Sequence, residues 1–261
     1  MTEALLEDTE GGYDPEHDLS NPHTLEPWPL HDLDLPFFKA AYKGDNAQIT
    51  SLIASGVNVN ARSKCNVTPL QLAIHGDHAD TVRILLSAGA DATLLEDIEP
   101  CLMAPFDAIN GAAWLGAQHA LEALIDFGVK TPSSALCWAA SLNRIYCMRT
   151  ILERLGQNDF SDLPRLEGWS TALDRAALCW HDEAVELALG QITTMLADSD
   201  SEDRSCLSSA LVSAVREYDC DDRCRWVTGG QARRLRIMQK LIAAGADVNW
   251  EEPKEWQSFH R

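Results

Sequence analysis

One stretch of sequence decides the fold: Thr68-Pro-Leu-Gln-Leu-Ala-Ile-His-Gly-Asp-His-Ala-Asp-Thr-Val-Arg-Ile-Leu-Leu-Ser-Ala-Gly-Ala-Asp91. Thr68 is a good N-cap, and Pro69 suits the first turn of a helix, where its missing N–H is no loss. Apolar residues then recur at helical spacing in two groups, Leu70, Ala73 and Ile74 followed by Val82, Leu85 and Leu86. Gly89 ends the second helix in the left-handed conformation. Two short helices cannot bury both apolar faces alone, so the pattern predicts a repeat.

The same pattern recurs along the chain. The predicted repeats begin at Leu35, Thr68, Asp107, Ser134, Thr171 and Ser209, with separations of 33, 39, 27, 37 and 38 residues. Most of them carry two adjacent alanines in the first helix, such as Ala112-Ala113. Small side chains there allow successive first helices to approach closely, as the stacking of repeats requires.

The Thr68-Pro69-Leu70 motif and the Gly-Ala-Asp endings at Gly89 and Gly245 resemble those of the ankyrin repeat family. The resemblance covers about residues 35–249 and is strongest in the second repeat. It implies an all-α fold, an ankyrin-type α-solenoid of stacked helix-turn-helix repeats with short or irregular β-hairpin fingers. The histidine that usually follows Thr-Pro-Leu in that family is absent; in its place stand Phe38, Gln71, Asn110, Cys137, Asp174 and Val212.

Three segments make up the predicted organisation. Residues 1–34 form an acidic, proline-containing arm with ten Asp or Glu and no Lys or Arg. Within it, Leu25–Leu33 either stays solvated or caps the first repeat. The array spans 35–250 and carries an insertion at about 219–231, inside the sixth repeat. Residues 251–261 form a tail too short for a further repeat.

Composition narrows the class of partner and the compartment. The formal net charge is −19, which argues against nucleic acid and anionic membranes as partners. The sequence contains no run of about 18 apolar residues, so it predicts no membrane span. The acidic N-terminus lacks the features of a secretion signal. The eight cysteines form no regular framework, which favours reduced thiols in the cytoplasm or nucleus.

The resemblance also implies where a partner binds, because ankyrin repeats usually contact partners through the fingers and the last two positions of each first helix. The predicted groove residues are Tyr42, Lys43, His75, Trp114, Leu115, Leu178 and Arg216. Aromatic side chains on such a concave face are typical binding anchors. The first hypothesis is therefore an intracellular adaptor that binds a protein partner, including one with a basic surface, in its groove.

The alternative hypothesis is a noncanonical enzyme or small-molecule binder of the cyclisation or isomerisation type. His75 and Tyr42 are the candidate catalytic pair, with Asp45 and Asp77 as possible acidic neighbours. A pocket for a small hydrophobic ligand would lie in the irregular middle repeats, which carry Trp114, Trp138, Trp169 and Trp180. No catalytic or phosphate-binding motif supports this reading, so the sequence favours a binding protein.

Other polar residues have simpler interpretations. His78 and His181 follow the turn after the first helix and are expected to serve that loop. Cys220 and Cys224 have no second pair to complete a zinc site, so no metal or cofactor is expected. The basic residues of 232–243 either face solvent or pair with acidic residues, such as those of 198–203.

Overall fold

Twelve α-helices form the described part of the protein, which in the computed structural model comprises residues 35–63, 66–94, 107–156, 158–197, 204–215 and 230–250. They are α1 (Pro36–Lys43), α2 (Asn46–Ala54), α3 (Pro69–His75), α4 (Ala79–Ser87), α5 (Ala108–Leu115), α6 (Gln118–Asp126), α7 (Ser133–Ser141), α8 (Ile145–Leu155), α9 (Arg165–Leu178), α10 (Asp182–Ala197), α11 (Ser205–Val215) and α12 (Gly230–Ala243). None of these helices is long and apolar enough to cross a membrane.

The helices stack in two layers. Each odd-numbered helix packs on the even-numbered helix that follows it, and on the next odd-numbered helix; the even-numbered helices likewise pack on one another in chain order. The odd-numbered helices form the inner layer and the even-numbered helices the outer layer. The predicted all-α solenoid is thus confirmed. The described ranges contain no β-strand, and the first finger is a turn closed by the Ser63 N–H, which donates to the Val67 carbonyl at 2.9 Å.

The turn between inner and outer helix has the same backbone form in five successive repeats. One residue there adopts the left-handed conformation, with φ between 54° and 80°. These residues are Gly44, Asp77, Gly116, Asn143 and Trp180, each nine positions after a predicted repeat start. The turn therefore keeps one place in each of these five repeats, although the repeats differ in length.

The inner helices of the later repeats begin earlier than the repeat starts suggest. Helix α9 begins at Arg165 rather than after Thr171, and α11 begins at Ser205 rather than after Ser209. Pro164 stands directly before α9, and Pro132 directly before α7. Proline fixes φ and lacks an N–H, so these helices begin immediately after it.

Inner helices are joined across repeats by a regular series of side-chain hydrogen bonds. In three repeats, the position that departs from the family pattern contacts a hydroxyl group at the start of the next repeat. Ser134 Oγ donates to Asn110 Oδ1 at 2.8 Å, Cys137 Sγ to Thr171 Oγ1 at 3.4 Å, and Ser209 Oγ to Asp174 Oδ2 at 3.2 Å. These departures thus replace the usual histidine with contacts between neighbouring repeats.

Outer helices are joined by ion pairs. Arg154 of α8 contacts Glu122 and Asp126 of α6. Lys240 of α12 contacts Asp182 and lies 2.6 Å from Glu186, and Arg236 also reaches Asp182, at 3.3 Å. Arg236 and Lys240, two of the four basic residues of α12, therefore pair with α10. The acidic stretch 198–203 lies outside the described residues, as do the arm 1–34, residues 219–229 of the insertion and the tail 251–261.

Candidate functional site

The predicted groove residues lie at one edge of the inner layer. Tyr42, His75, Trp114 and Leu178 each stand seven positions after a repeat start, and all four are half-buried. The rings of Tyr42 and His75 meet with centroids 6.0 Å apart and an angle of 56° between their planes. Trp114 belongs to α5, which packs directly on α3. The first three repeats therefore present an aromatic row, which we define as Tyr42, His75 and Trp114.

The remaining groove residues differ in exposure and position. Lys43 is exposed beside Tyr42, at the end of α1. Leu115 is half-buried and packs against the core. Leu178 lies at the end of α9, two repeats beyond Trp114, and so does not extend the aromatic row directly. Arg216 lies outside the described residues.

His78 holds the backbone beneath the aromatic row. Its Nε2–H donates to the carbonyl oxygen of Tyr42 at 3.0 Å, which links the first two repeats. The ring fits against two glycines: a Cβ added to Gly44 would lie 2.7 Å from it, and one added to Gly76 would lie 2.5 Å from it. His78 thus has the structural role expected from its place in the turn, and it fixes the end of α1.

His181 repeats this arrangement later in the stack. Its Nε2 contacts the carbonyl oxygen of Ser141 at 2.9 Å, which links the fourth and fifth repeats. Burial lowers the pKa of His181, and the hydrogen bond to Ser141 only partly opposes that effect. The side chain is therefore neutral near pH 7 and serves as a structural link between repeats.

The two acidic residues considered as neighbours of His75 each accept a hydrogen bond at the start of a helix. Asp45 accepts from the Gln48 N–H at 3.0 Å and caps α2. Asp77 accepts from the Ala120 N–H at 2.8 Å, at the first turn of α6. Helix N-termini carry unpaired N–H groups and positive partial charge, so they hold both carboxylates.

Sequence reasoning missed the contact of Asp77 because its partner lies far along the chain. A signal was present: Ala117, the N-cap of α6, has no side-chain acceptor. When the N-cap residue of a helix has no side-chain acceptor, the first N–H groups bind water or an acceptor from another part of the fold.

The tryptophans of the middle repeats do not share one environment. Trp169 is only 1% exposed and belongs to the core, so it cannot line an open pocket. Trp180 lies in the turn after α9, where the guanidinium carbon of Arg234 stands 5.6 Å from its ring centroid. Trp114 and Trp138 are half-buried on the inner helices. The tryptophans therefore give no support to a single apolar pocket.

Two thiols of the inner and outer layers are poor nucleophiles. Burial raises the pKa of Cys147 to about 12 and also raises the pKa of Cys137. Within the described ranges, no group of three or more His, Cys, Asp or Glu side chains is arranged to hold a metal ion. Cys220 and Cys224 lie outside those ranges.

Two kinds of sequence comparison agree with this geometry. Residues 37–86 match the family model described as ankyrin repeats in many copies. An ankyrin repeat, SAM and basic leucine zipper domain-containing protein 1 from Equus caballus is 33% identical over 78 residues, 30% of this chain and 16% of the relative. An ankyrin repeat and KH domain-containing protein from Caenorhabditis briggsae is 26% identical over 221 residues, 82% of this chain and 7% of the relative. The chain thus spans less than a fifth of these relatives.

Solved structures with the same fold include two ankyrin repeat domains. That of human ASB11 gives a TM-score of 0.53 at 20% identity and covers 84% of this chain and 88% of its own. The ankyrin repeat domain of Bcl-3, a member of the IkappaB family, gives a TM-score of 0.59 at 21% identity. The match covers 85% of this chain and 90% of the Bcl-3 chain. Such domains generally bind protein partners. With the stacked helix pairs, these comparisons show that the chain has the fold of ankyrin repeat domains and that residues 37–86 match the ankyrin repeat family.

Proposed function

We propose that the protein is an intracellular binding protein, cytoplasmic or nuclear, that holds a segment of a protein partner along its concave edge. The observation that carries this proposal is the aromatic row. Its three residues occupy one repeat position on three successive inner helices, and each is only half-buried. Such partly exposed aromatic side chains contribute about 2 kcal/mol each when a partner buries them.

The charge of the protein favours a partner with a basic surface. The net charge of −19 accelerates the encounter with a positively charged protein and disfavours an acidic one. Lys43 is the exposed basic residue beside Tyr42, so it selects an acidic or polar group at that point of the partner. The complex is accordingly expected to form more slowly as the salt concentration rises.

Comparative affinity purification tests the proposal. The wild-type protein and the variants Tyr42→Ala, His75→Ala and Trp114→Ala are used as baits, and captured proteins are quantified by mass spectrometry. Tyr146→Ala is the matched control, because Tyr146 is an aromatic residue on the outer helix α8 and is 72% exposed. The captured amount of a partner that binds in the groove should fall roughly tenfold or more with each of the three row variants and stay unchanged with the control.

Equal retention of every captured protein by the row variants contradicts the proposal. Thermal unfolding of the same variants separates binding from folding. His75→Ala is expected to weaken binding without unfolding the protein. If it lowers the unfolding temperature and leaves binding by the folded fraction unchanged, His75 is a structural residue and the groove is assigned wrongly.

A further inference from the structure

The inner helices carry a charge pattern that differs from that of the whole protein. Helices α3, α5 and α7 contain no Asp, Glu, Lys or Arg, although the chain has a net charge of −19. Exposed basic side chains stand on either side of these three helices: Lys39 and Lys43 on α1, and Arg175 on α9. The inner layer therefore has an uncharged middle between two basic positions.

The basic residues lie on the same side of the stack as the aromatic row. Helix α9 packs on α7, α10 and α11, so its exposed residue Arg175 lies on the remaining, concave side. Lys39 and Arg175 each stand four positions after a repeat start, and Lys43 directly follows Tyr42. Equivalent positions of stacked repeats point the same way, which places Lys39 on the concave side as well.

The three cations have no ionic partner within the described ranges. The side chains of Lys39, Lys43 and Arg175 are exposed and take part in no hydrogen bond or ion pair there. Asp174 is next to Arg175 in sequence, but its carboxylate accepts a hydrogen bond from α11. Glu167 stands about two helical turns before Arg175, toward the other end of α9. The three positive charges are thus available to carboxylates of a partner.

The distance between α1 and α9 sets the length of a segment that contacts both. Four steps from one inner helix to the next separate them, and packed helices lie about 8–10 Å apart, so the two ends are roughly 32–40 Å apart. An extended chain advances about 3.3 Å per residue. A segment of about 10–12 residues therefore reaches from one basic position to the other.

Between the two ends, the groove offers aromatic surface. His75 and Trp114 belong to the aromatic row, and Trp138 stands at the same repeat position as Arg175. All three aromatic side chains are half-buried and so expose part of their rings. A charged side chain of a partner would lose water there without meeting an opposite charge on α3, α5 or α7. The middle of the groove accordingly favours apolar side chains.

We propose that the groove holds an extended segment of about 10–12 residues, with carboxylate side chains near both ends and apolar side chains between them. This chemistry of the partner presupposes the proposed binding function of the groove. One end of the segment pairs with Lys39 and Lys43, and the other end pairs with Arg175. The net charge of the protein acts at long range on the whole surface of a partner, whereas these three side chains act on the bound segment alone. A partner that is basic overall therefore presents an acidic segment to the groove.

Selection from a displayed library of random peptides of about 12 residues tests the proposal on the full chain. The selected peptides are expected to be enriched in Asp or Glu near both ends and in apolar residues between them. Their dissociation constants are then measured by fluorescence polarisation with the wild-type protein and with Lys43→Glu and Arg175→Glu. Each variant is expected to bind roughly fivefold or more weakly, as the loss of an exposed ion pair predicts.

Arg149→Glu is the matched control. Arg149 is an exposed arginine of the outer helix α8, and its replacement changes the net charge of the protein by the same amount. This variant is expected to bind the peptides like the wild type. Lys43→Gln and Arg175→Gln remove the charge without reversing it, so they are expected to give a smaller loss of affinity. Equal unfolding temperatures show that the variants are folded.

Trp114→Ala separates this proposal from the proposed function. Peptides that bind the wild type but not Trp114→Ala bind in the groove. If such peptides lack the enrichment in Asp or Glu, or bind Lys43→Glu and Arg175→Glu as tightly as Arg149→Glu, the acidic segment is wrong and binding in the groove stands. If the selected peptides bind Trp114→Ala like the wild type, or if no peptide is selected, binding in the groove fails and the acidic segment fails with it.

Discussion

The carboxylate of Asp77 accepts a hydrogen bond from the backbone N–H of Ala120, across a sequence separation of 43 residues. Its second oxygen accepts from Nδ1–H of His119 at 2.7 Å. Asp77 thus belongs to the turn of the second repeat but caps the outer helix of the third. Because α6 has no cap of its own, this contact couples the folding of the two repeats.

Asp77→Ala is expected to lower the free energy of unfolding by about 2 kcal/mol, because it removes the cap and places alanine at φ 54°. Asp77→Asn is the matched control, since asparagine keeps an acceptor oxygen and tolerates the left-handed conformation. Urea unfolding measures both. An equal decrease in the free energy of unfolding in both variants would show that the Asp77 cap does not stabilise the protein.

Two glycines inside helices are expected to respond to alanine with opposite signs. A Cβ at Gly168 of α9 would lie 2.3 Å from the buried ring of Phe160, whereas a Cβ at Gly190 of α10 meets nothing within 4 Å. Gly190→Ala should therefore raise the free energy of unfolding by roughly 0.5–1 kcal/mol, through helix propensity. Gly168→Ala should lower it, because overpacking forces the ring to move. Stabilisation by both changes would contradict the packing of Phe160.

His181 is expected to make the protein less stable in mild acid. Its pKa is lowered on folding, so the unfolded chain binds more protons than the native state when the pH falls below the ordinary histidine value near 6.5. The contribution of the neutral ring is complete above that pH and is lost as the pH falls through it toward the lowered value. His181→Gln should flatten the dependence of the unfolding midpoint on pH between about 7 and 5. If the unfolding midpoint of His181→Gln depends on pH as steeply as that of the wild type, His181 is not the source of the pH dependence.

Cys147 is expected to resist alkylation in the native protein. With a pKa of about 12, its thiolate fraction at pH 8 is only about 10⁻⁴. Iodoacetamide labelling, followed by peptide mass spectrometry, should modify Cys147 only after unfolding in guanidinium. Labelling of native Cys147 at the rate of the unfolded chain would show that the thiol is accessible.

The sequence is sufficient to predict the stacking of helix pairs, because the features that determine it are local. Thr68 and Gln71 form a capping box, and Pro69 stands in the first turn of α3. The left-handed residue of each turn keeps a constant distance from the repeat start, even where it is Trp180 rather than glycine. Such patterns depend on spacing within one repeat, so they can be read without the structure.

Contacts between repeats are harder to predict, since spacing does not reveal them. Lys240 pairs with Asp182, 58 positions away, and Asp77 caps a helix in the next repeat. The segment 165–170 precedes the predicted repeat start at Thr171, but it forms the first turns of α9, where the missing Cβ of Gly168 makes room for Phe160. The groove residues also remain a prediction. Their shared position follows from the repeat pattern, but the identity of a partner cannot be deduced from that pattern.

The aromatic row is tested most directly by site-specific photocrosslinking in cells. Benzoylphenylalanine is placed at position 75 or 114 in the row, or at position 146 on the outer helix α8. Each adduct is then competed with excess wild-type protein. Binding in the groove predicts that positions 75 and 114 give the same discrete, competable adduct with one partner protein and that position 146 does not. If position 146 gives that adduct equally well, or if positions 75 and 114 give none, the groove is not the binding surface.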